Sequence, residues 1–533
     1  MSEPRADQPL LIAVRPDDEM TDLAVAAIVA EAAARVAGVG GPVEVRRLGP
    51  DGQRDRIVTV RVADAIGSPT YASTAWELTH VLQDTGDFAV AEADVPVRAF
   101  DPEARATGAF SGGDCGADAA SEDHGWALDA IGWQDALAAM DPATRGGAGI
   151  RVGHPDSGFS DHLALGAEVD VAADWDLIDD DDDATDPLRP PNVTFFNPLP
   201  NPGHGTSTAS VILGKGDGAG FSGVAPEAVL VPFRATESVV QVFDSDVAAA
   251  VHRARAAGCH IVSMSLGGTG FFGLREAIQQ AVDDGMIVMA AAGNHVGVVT
   301  APASYDNCIA VAATGTGDSM WPGSSRGAAV DVSAPGACVW AAGFDWNVSP
   351  PNRVVERTDG TSYAVAHLAG VSALWLAHHG HAELVRRFGR HRVQAVFLHQ
   401  VRAPGVCARP LGWDDDWGVG RIDAAALLSQ PLPDVSEVDG ARAFGAPAQA
   451  GPVERIAAIT NVDPRRVREW LADTLGPADL DARAERFEGE LVYLLLEDQS
   501  FRAGLALPGL SAFSTGAPPA AASPQLRATM AGR

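Results

Sequence analysis

The chain has 533 residues, more than one domain usually needs, and 46% of them are hydrophobic, ample for a core. Its 70 Asp and Glu against 38 Lys and Arg give a formal charge of -32, which argues against a nucleic-acid partner, since phosphate binding needs a basic face. The start, Met-Ser-Glu-Pro-Arg-Ala-Asp-Gln-Pro, lacks the basic, apolar and small-residue pattern of a secretory signal, and no run is apolar enough to span a bilayer. The expectation is a cytoplasmic protein with no membrane partner, secreted only if a leader has been lost. Cys115, Cys259, Cys308, Cys338 and Cys407 show no C-x-x-C spacing and are expected to be small buried hydrophobes in a reducing compartment.

In chain order, Leu10 to Val14 reads as a strand, Thr21 to Val36 as an Ala-rich helix, and Val43 to Leu48 and Arg56 to Val62 as alternating strands around the turn Pro50-Asp51-Gly52. Ser73 is placed to cap a helix through Trp76, Leu78, Val81 and Leu82, and Phe88 to Val97 closes the block as a strand. Strand, helix, strand, strand, helix, strand is the ferredoxin-like order. Residues 101–122, rich in Gly, Ala, Asp and Ser, read as a linker.

Residues 123–430 alternate apolar strands (Gly149 to Gly153, Val229 to Phe233, Ile261 to Met264, Ile287 to Ala291, Ile309 to Ala312) with amphipathic runs such as Asp246 to Ala257 and Leu274 to Asp283. That alternation predicts a mostly parallel α/β sheet flanked by helices. Residues 431–505 form a helical extension, with helices expected over Val453 to Ile459, Pro464 to Leu475 and Leu480 to Leu505. The Ala-, Pro- and Ser-rich tail, 506–533, is expected to be disordered.

Three segments carry chemistry. Ile150 to Gly158 sets Asp156 at the end of an apolar strand, at the sheet edge where open parallel sheets place their sites. Gly203-His204-Gly205 sets a histidine between two glycines at a helix start. Asp359 to Gly370 opens a helix at Ser362, with the hydroxyl near the positive helix end.

At these segments the sequence resembles the subtilase family, whose chain order is Asp, then His, then Ser. Met289 to Asn294 looks like the family's strand ending in the oxyanion-hole Asn. Ser263 to Gly268 looks like the strand lining the primary specificity pocket. Val224-Ala-Pro226, Ser333-Ala-Pro-Gly336 and Gly418 to Asp423 fall in the family's order.

The resemblance implies a serine endopeptidase working through an acyl-enzyme. Ser362 would be the nucleophile, which needs a base in reach; His204 is that base; Asp156 would fix its tautomer. Asn294 and the Ser362 N–H would hold the oxyanion. Ser265, Leu266, Gly267, Gly268, Ala291, Ala292 and Gly293 form the implied substrate-binding set. Polypeptides are the implied substrates, and the chemistry requires no cofactor.

His154, His162 and His295 read as structural. Tyr363 stands where the family has Met, Ala366 where it has Pro, and Pro155 before Asp156 is unusual. Two other readings stay open: a transpeptidase or macrocyclase on the same scaffold, and a catalytically silent peptide-binding scaffold.

The run from Asp174 to Asp186 is dense in carboxylates and is similar to a calcium-binding loop of the kexin branch, with Asp174 and Asp183 as metal ligands; a solvated acidic loop is the alternative. Residues 1–100 resemble the subtilisin propeptide, which implies a zymogen whose own N-terminal block inhibits the cleft. Trp126 to Ile131 looks like the mature start of a subtilase, so a self-cut is expected between Phe100 and Trp126.

Overall fold

The computed structural model describes residues 8–17, 19–49, 55–62, 68–96, 122–166, 168–188, 201–216, 220–239, 243–317, 319–409, 412–438, 442–445, 447, 450–498, 501–502, 504–505 and 520–532. The turn at Pro50-Asp51-Gly52, Cys115 and residues 97–121 lie outside them.

The N-terminal block runs β1 (Gln8–Pro16), α1 (Asp22–Ala33), β2 (Val39–Arg47), β3 (Arg56–Val62), α2 (Pro69–Thr85), β4 (Phe88–Asp94). The antiparallel sheet has the order β2-β3-β1-β4, as the ferredoxin-like pattern requires. β1 is a continuous apolar run because both its faces are covered. Leu10, Ile12 and Val14 join the core under α1 and α2, while Leu11 and Ala13 join a core shared with the next domain. Thr21 caps α1, accepting from the Ala24 N–H at 3.2 Å. The cap of α2 is Ser68, not Ser73: its hydroxyl accepts from the Tyr71 N–H at 3.0 Å. Pro69 at the first helical position, which needs no N–H donor there, starts the helix upstream of Ser73.

The second domain carries β5 (Arg151–Asp156), α3 (His204–Leu213), β6 (Val229–Arg234), α4 (Asp244–Ala256), β7 (Ile261–Met264), α5 (Phe272–Asp283), β8 (Ile287–Ala291), β9 (Ile309–Gly315), β10 (Val332–Pro335), β11 (Val339–Asp345), β12 (Asn352–Thr358) and α6 (Thr361–His379). Among the described residues a ten-stranded sheet forms, with β10-β9-β8-β7-β5-β6 as its parallel centre. Ile261, Ile287, Ile309 and Val311 pack toward α6, and Val262, Met264, Val288 and Ala310 toward α4 and α5. Two-sided burial explains the uniformly apolar strands.

The C-terminal extension holds α7 (Pro452–Thr460), α8 (Pro464–Leu475), α9 (Leu480–Glu497) and α10 (Pro524–Ala531). α9 stops at Glu497, short of the expected Leu505. α10 lies where the sequence suggests disorder: its cap, Ser523, and Leu526 are fully buried, so this helix is held by packing that a local pattern does not reveal. Cys259, Cys308 and Cys407 are free thiols, but Cys338 is disulfide-bonded, which corrects the expectation of a fully reduced set. Among the described residues no helix is long and apolar enough to cross a membrane.

Candidate active site

Asp156, the last residue of β5, is fully buried at the carboxyl edge of the sheet. Its Oδ1 accepts from His204 Nδ1–H at 2.7 Å and from the Ser157 N–H at 2.7 Å. Burial alone would raise its pKa. The His204 charge and hydrogen bond, His154 and the Ser157 N–H outweigh that and hold the carboxyl below its ordinary value. An ionised carboxylate can only accept, so in this bond His204 Nδ1 carries the proton.

His204 opens α3 from a turn that only glycine fits. Gly203 has φ 81°, and a Cβ there would stand 2.5 Å from the Phe344 ring; a Cβ on Gly205 would run into the Gly158 carbonyl. Asp186 and Ser157 lock this turn to the Asp156 turn. Asp186 Oδ2 accepts from Ser157 Oγ–H at 2.8 Å and from the Gly203 N–H at 2.6 Å, and Ser157 Oγ accepts from the Gly205 N–H at 3.0 Å. In the sequence Asp186 is only the end of an acidic run; its position behind both turns depends on tertiary contact.

Ser362 is the second residue of α6. Its Oγ donates to the Ser265 carbonyl at 3.4 Å, and Ser265 Oγ donates to the Ser362 carbonyl at 3.0 Å. Among the described residues no hydrogen bond joins Ser362 to His204.

Asn294 Oδ1 accepts from the Thr361 N–H at 2.9 Å and from Thr361 Oγ1–H at 2.8 Å. A backbone N–H can only donate, so the amide oxygen faces Thr361 and the NH2 is turned away to donate elsewhere. Gly293 N–H also donates to Thr361 Oγ1, at 3.2 Å. Thr361 thus couples the Asn294 segment to the neighbour of Ser362.

Ser265, Leu266, Gly267 and Gly268 follow β7; Ala291 ends β8, with Ala292 and Gly293 after it. Thr300, which no sequence motif marks, lies between these segments. Its Oγ1 is 2.5 Å from where a Cβ would stand on Gly267 and 3.4 Å from that of Gly293. Tyr363 bonds Ser207 Oγ at 3.2 Å through its hydroxyl, tying α6 to α3.

His154 is buried against Thr208 Oγ1 at 3.1 Å and lies 4.0 Å from Asp156 Oδ2; burial lowers its pKa, against the pull of Asp156. His162 Nε2–H donates to the Gly343 carbonyl at 3.2 Å, and His295 is exposed with its ring 5.3 Å from that of Trp321.

The acidic loop turns two of its carboxylates onto its own backbone. Asp183 Oδ1 accepts from the Thr185 N–H at 3.1 Å, and Asp174 Oδ2 from the Ala184 N–H at 3.3 Å. Among the described residues no three or more His, Cys, Asp or Glu side chains converge as an ion would need. Asp174 Oδ1 is buried without a hydrogen-bond partner, and the calcium expectation at Asp174 and Asp183 stays open. The cation the loop does hold is buried Arg234, paired with Asp176 and, at 2.8 Å, with Asp179.

The subtilase family matches residues 147–420, just over half of the chain. Thermitase of Thermoactinomyces vulgaris is 32% identical over 232 residues, covering 43% of this chain and 75% of thermitase. Alkaline elastase YaB of a Bacillus strain is 32% identical over 230 residues, covering 43% of this chain but only 54% of that protein. Fervidolysin from Fervidobacterium pennivorans, described as a keratinolytic enzyme related to subtilisin, superposes with a TM-score of 0.55 at 23% identity, covering 81% of this chain and 63% of that one; this is a likeness of fold. The chain belongs to the subtilase family of serine-type endopeptidases.

Proposed function

We propose that this chain hydrolyses peptide bonds through an acyl-enzyme on Ser362. The observation that carries the reading is the 2.7 Å bond between Asp156 and His204 at the sheet edge where α6 opens at Ser362. His204 Nε2 takes the Ser362 proton as Oγ adds to the scissile carbonyl. The oxyanion is met by the Asn294 NH2 and the Ser362 N–H, and His204 then returns the proton to the leaving amine. Water, deprotonated in turn by His204, frees the acid product and restores Ser362. No cofactor enters these steps.

Residues 1–100 are read as a propeptide that inhibits the cleft. The support is the ferredoxin-like order and the way β4 completes two uncapped helices of the second domain. Asp94 accepts from the Asp244 and Ser245 N–H groups at 2.9 and 3.0 Å at the start of α4, and Glu92 from the Phe272 N–H at 3.1 Å at the start of α5. The segment read as the self-cut site lies outside the described residues. The disulfide at Cys338 favours an oxidising compartment over the cytoplasm, where thiols are kept reduced.

The test is incubation of the wild type and Ser362→Ala with a fluorophosphonate label, a denatured protein and peptides ending in Ala or Phe before a chromogenic leaving group. Labelling at Ser362 and hydrolysed products are expected, both absent in Ser362→Ala. Cyclic or ligated products would replace hydrolysis by transpeptidation, and an unlabelled Ser362 would mean a scaffold.

A further inference from the structure

One hydrophobic cluster joins the two ends of the chain. Leu10, Ile12, Val60, Trp76, Leu78 and Leu82 of the N-terminal block lie in it with Ile456, Trp470, Phe487, Leu491, Tyr493 and Leu526 of the extension, and the second domain adds only Val296 and Val298. The contact centres on α2 and α9. The Trp76 and Tyr493 ring centroids are 6.1 Å apart, and His80 meets the Phe487 ring edge-on at 4.8 Å. α9 comes so close at Gly489 that a Cβ there would stand 2.8 Å from Glu92 Oε1 and 3.2 Å from the Trp76 ring.

Polar groups complete the fit. His80 Nε2 bonds Glu490 Oε2 at 2.7 Å, both side chains buried. Glu490 also accepts from the Ser523 N–H at 2.5 Å, and Ser73 Oγ–H donates to the Ala522 carbonyl at 2.9 Å, so the segment that starts α10 is fastened to α2 as well. At the rim Arg486 pairs with Asp84 at 2.6 Å. These groups are complementary in shape and charge, and at Glu92 they adjoin the cap of α5, since its Oε2 accepts from the Phe272 N–H while its Oε1 faces Gly489.

We propose that the C-terminal extension is a binding surface whose partner is the chain's own N-terminal block, and that it keeps this block on the enzyme after the connection between them is cut. A block held only through its sheet leaves when that one face lets go. Here release has to open two buried faces, one on the second domain and one on the extension. Retention rests on this shared core; its consequence, an inhibitor that outlasts cleavage, rests on the protease reading.

The experiment uses full-length Ser362→Ala with a foreign protease site placed within residues 101–121 and a fluorophore on the N-terminal block. After cutting, the block is expected to co-elute with the rest of the chain on size exclusion. Gly489→Leu, which drives a side chain into Trp76 and Glu92, is expected to speed dissociation by about tenfold or more. Should that variant fail to fold, the rim pair decides: Arg486→Asp is expected to speed release about twofold to threefold, and Asp84→Arg in the same chain to slow it again. A block that leaves the parent at once on cutting, or that leaves a folded Gly489→Leu no faster, overturns the proposal, as does a charge swap that restores nothing. Failure of the protease reading shows separately, as wild type that, with the block cut and removed, takes no label at Ser362 and hydrolyses no denatured protein.

Discussion

Two sets of buried carboxylates in this molecule behave in opposite ways. Asp156 lies below its ordinary pKa, while Glu92 is pushed up to about 8 and Asp94 to about 6. All are desolvated, so burial does not separate them. Asp156 faces a histidine that can carry the opposite charge. Glu92 and Asp94 meet backbone N–H groups and other acids, including Asp244, itself raised by burial. The partner decides the direction: Asp156 is held toward its charged form, and the other set sits where a change of pH is felt at a joint between domains.

The largest expected effect breaks the first set. Ser362→Ala and His204→Ala should each lower kcat by about 10⁶, the scale known for the same residues of subtilisin, with the double variant little worse. Independent, additive losses measured on a peptide substrate would remove the Ser–His unit. Asn294→Ala should lower kcat by about 10²–10³ with KM nearly unchanged, again a subtilisin magnitude, because its NH2 meets charge that exists only in the transition state. A change confined to KM would make Asn294 a substrate contact.

Arg234→Met extends the comparison to an acid whose partner is a fixed cation. Asp176, 2% exposed, would be left as an unpaired buried charge, at a cost of about 3–5 kcal/mol read by denaturant unfolding. Thermal unfolding with chelator and with millimolar calcium decides the loop's other partner: a calcium-specific rise in melting temperature would support a metal at Asp174, and unmoved curves would leave the loop to Arg234.

The smallest effect concerns the joint. Detached, Glu92 has its ordinary value of 4.5; docked, it titrates at about 8, so the docked form keeps a proton the detached form has lost. The contribution to docking is whole below the lower value and lost as pH rises through the upper, so release of the cut block should quicken about tenfold between about pH 5 and pH 9. Facing Glu92 are Asp94 on its own strand, Asp244, Arg275 and Tyr305 of the second domain, and Arg455 and Glu488 of the extension. Glu92→Gln should flatten the profile; an unchanged slope would move the effect to Asp94 or Asp244.

What could be read from the sequence follows the same division. Asp156, His204, Ser362 and Asn294 are legible because each sits in a short segment whose neighbours fix its local geometry: a strand end, two glycines, a helix start. The parallel sheet is legible because Ile261 to Met264 and Ile287 to Ala291 are apolar on both faces. The joint is not. His80 and Glu490 are 410 positions apart, and neither residue's surroundings in sequence mark it as half of a pair. The same holds for Ser157 with Asp186 and Tyr363 with Ser207, and for α10, whose low local propensity for burial is overruled by what it packs against. Ser73 suggests itself as a cap only while the hydrophobic period is weighed alone; Pro69 is the stronger start signal.

Synthesis adds a direction to the cluster shared by Leu10 and Leu526. A ribosome delivers β1 well before α10, so the cluster has no complete set of members until Leu526 has emerged. Through most of translation Trp76 and His80 have no lid, and α2 is a candidate site for chaperones to hold. The N-terminal block therefore gains its last packing partners only once the extension has been made, and a chain that stops early in the extension leaves α2 uncovered.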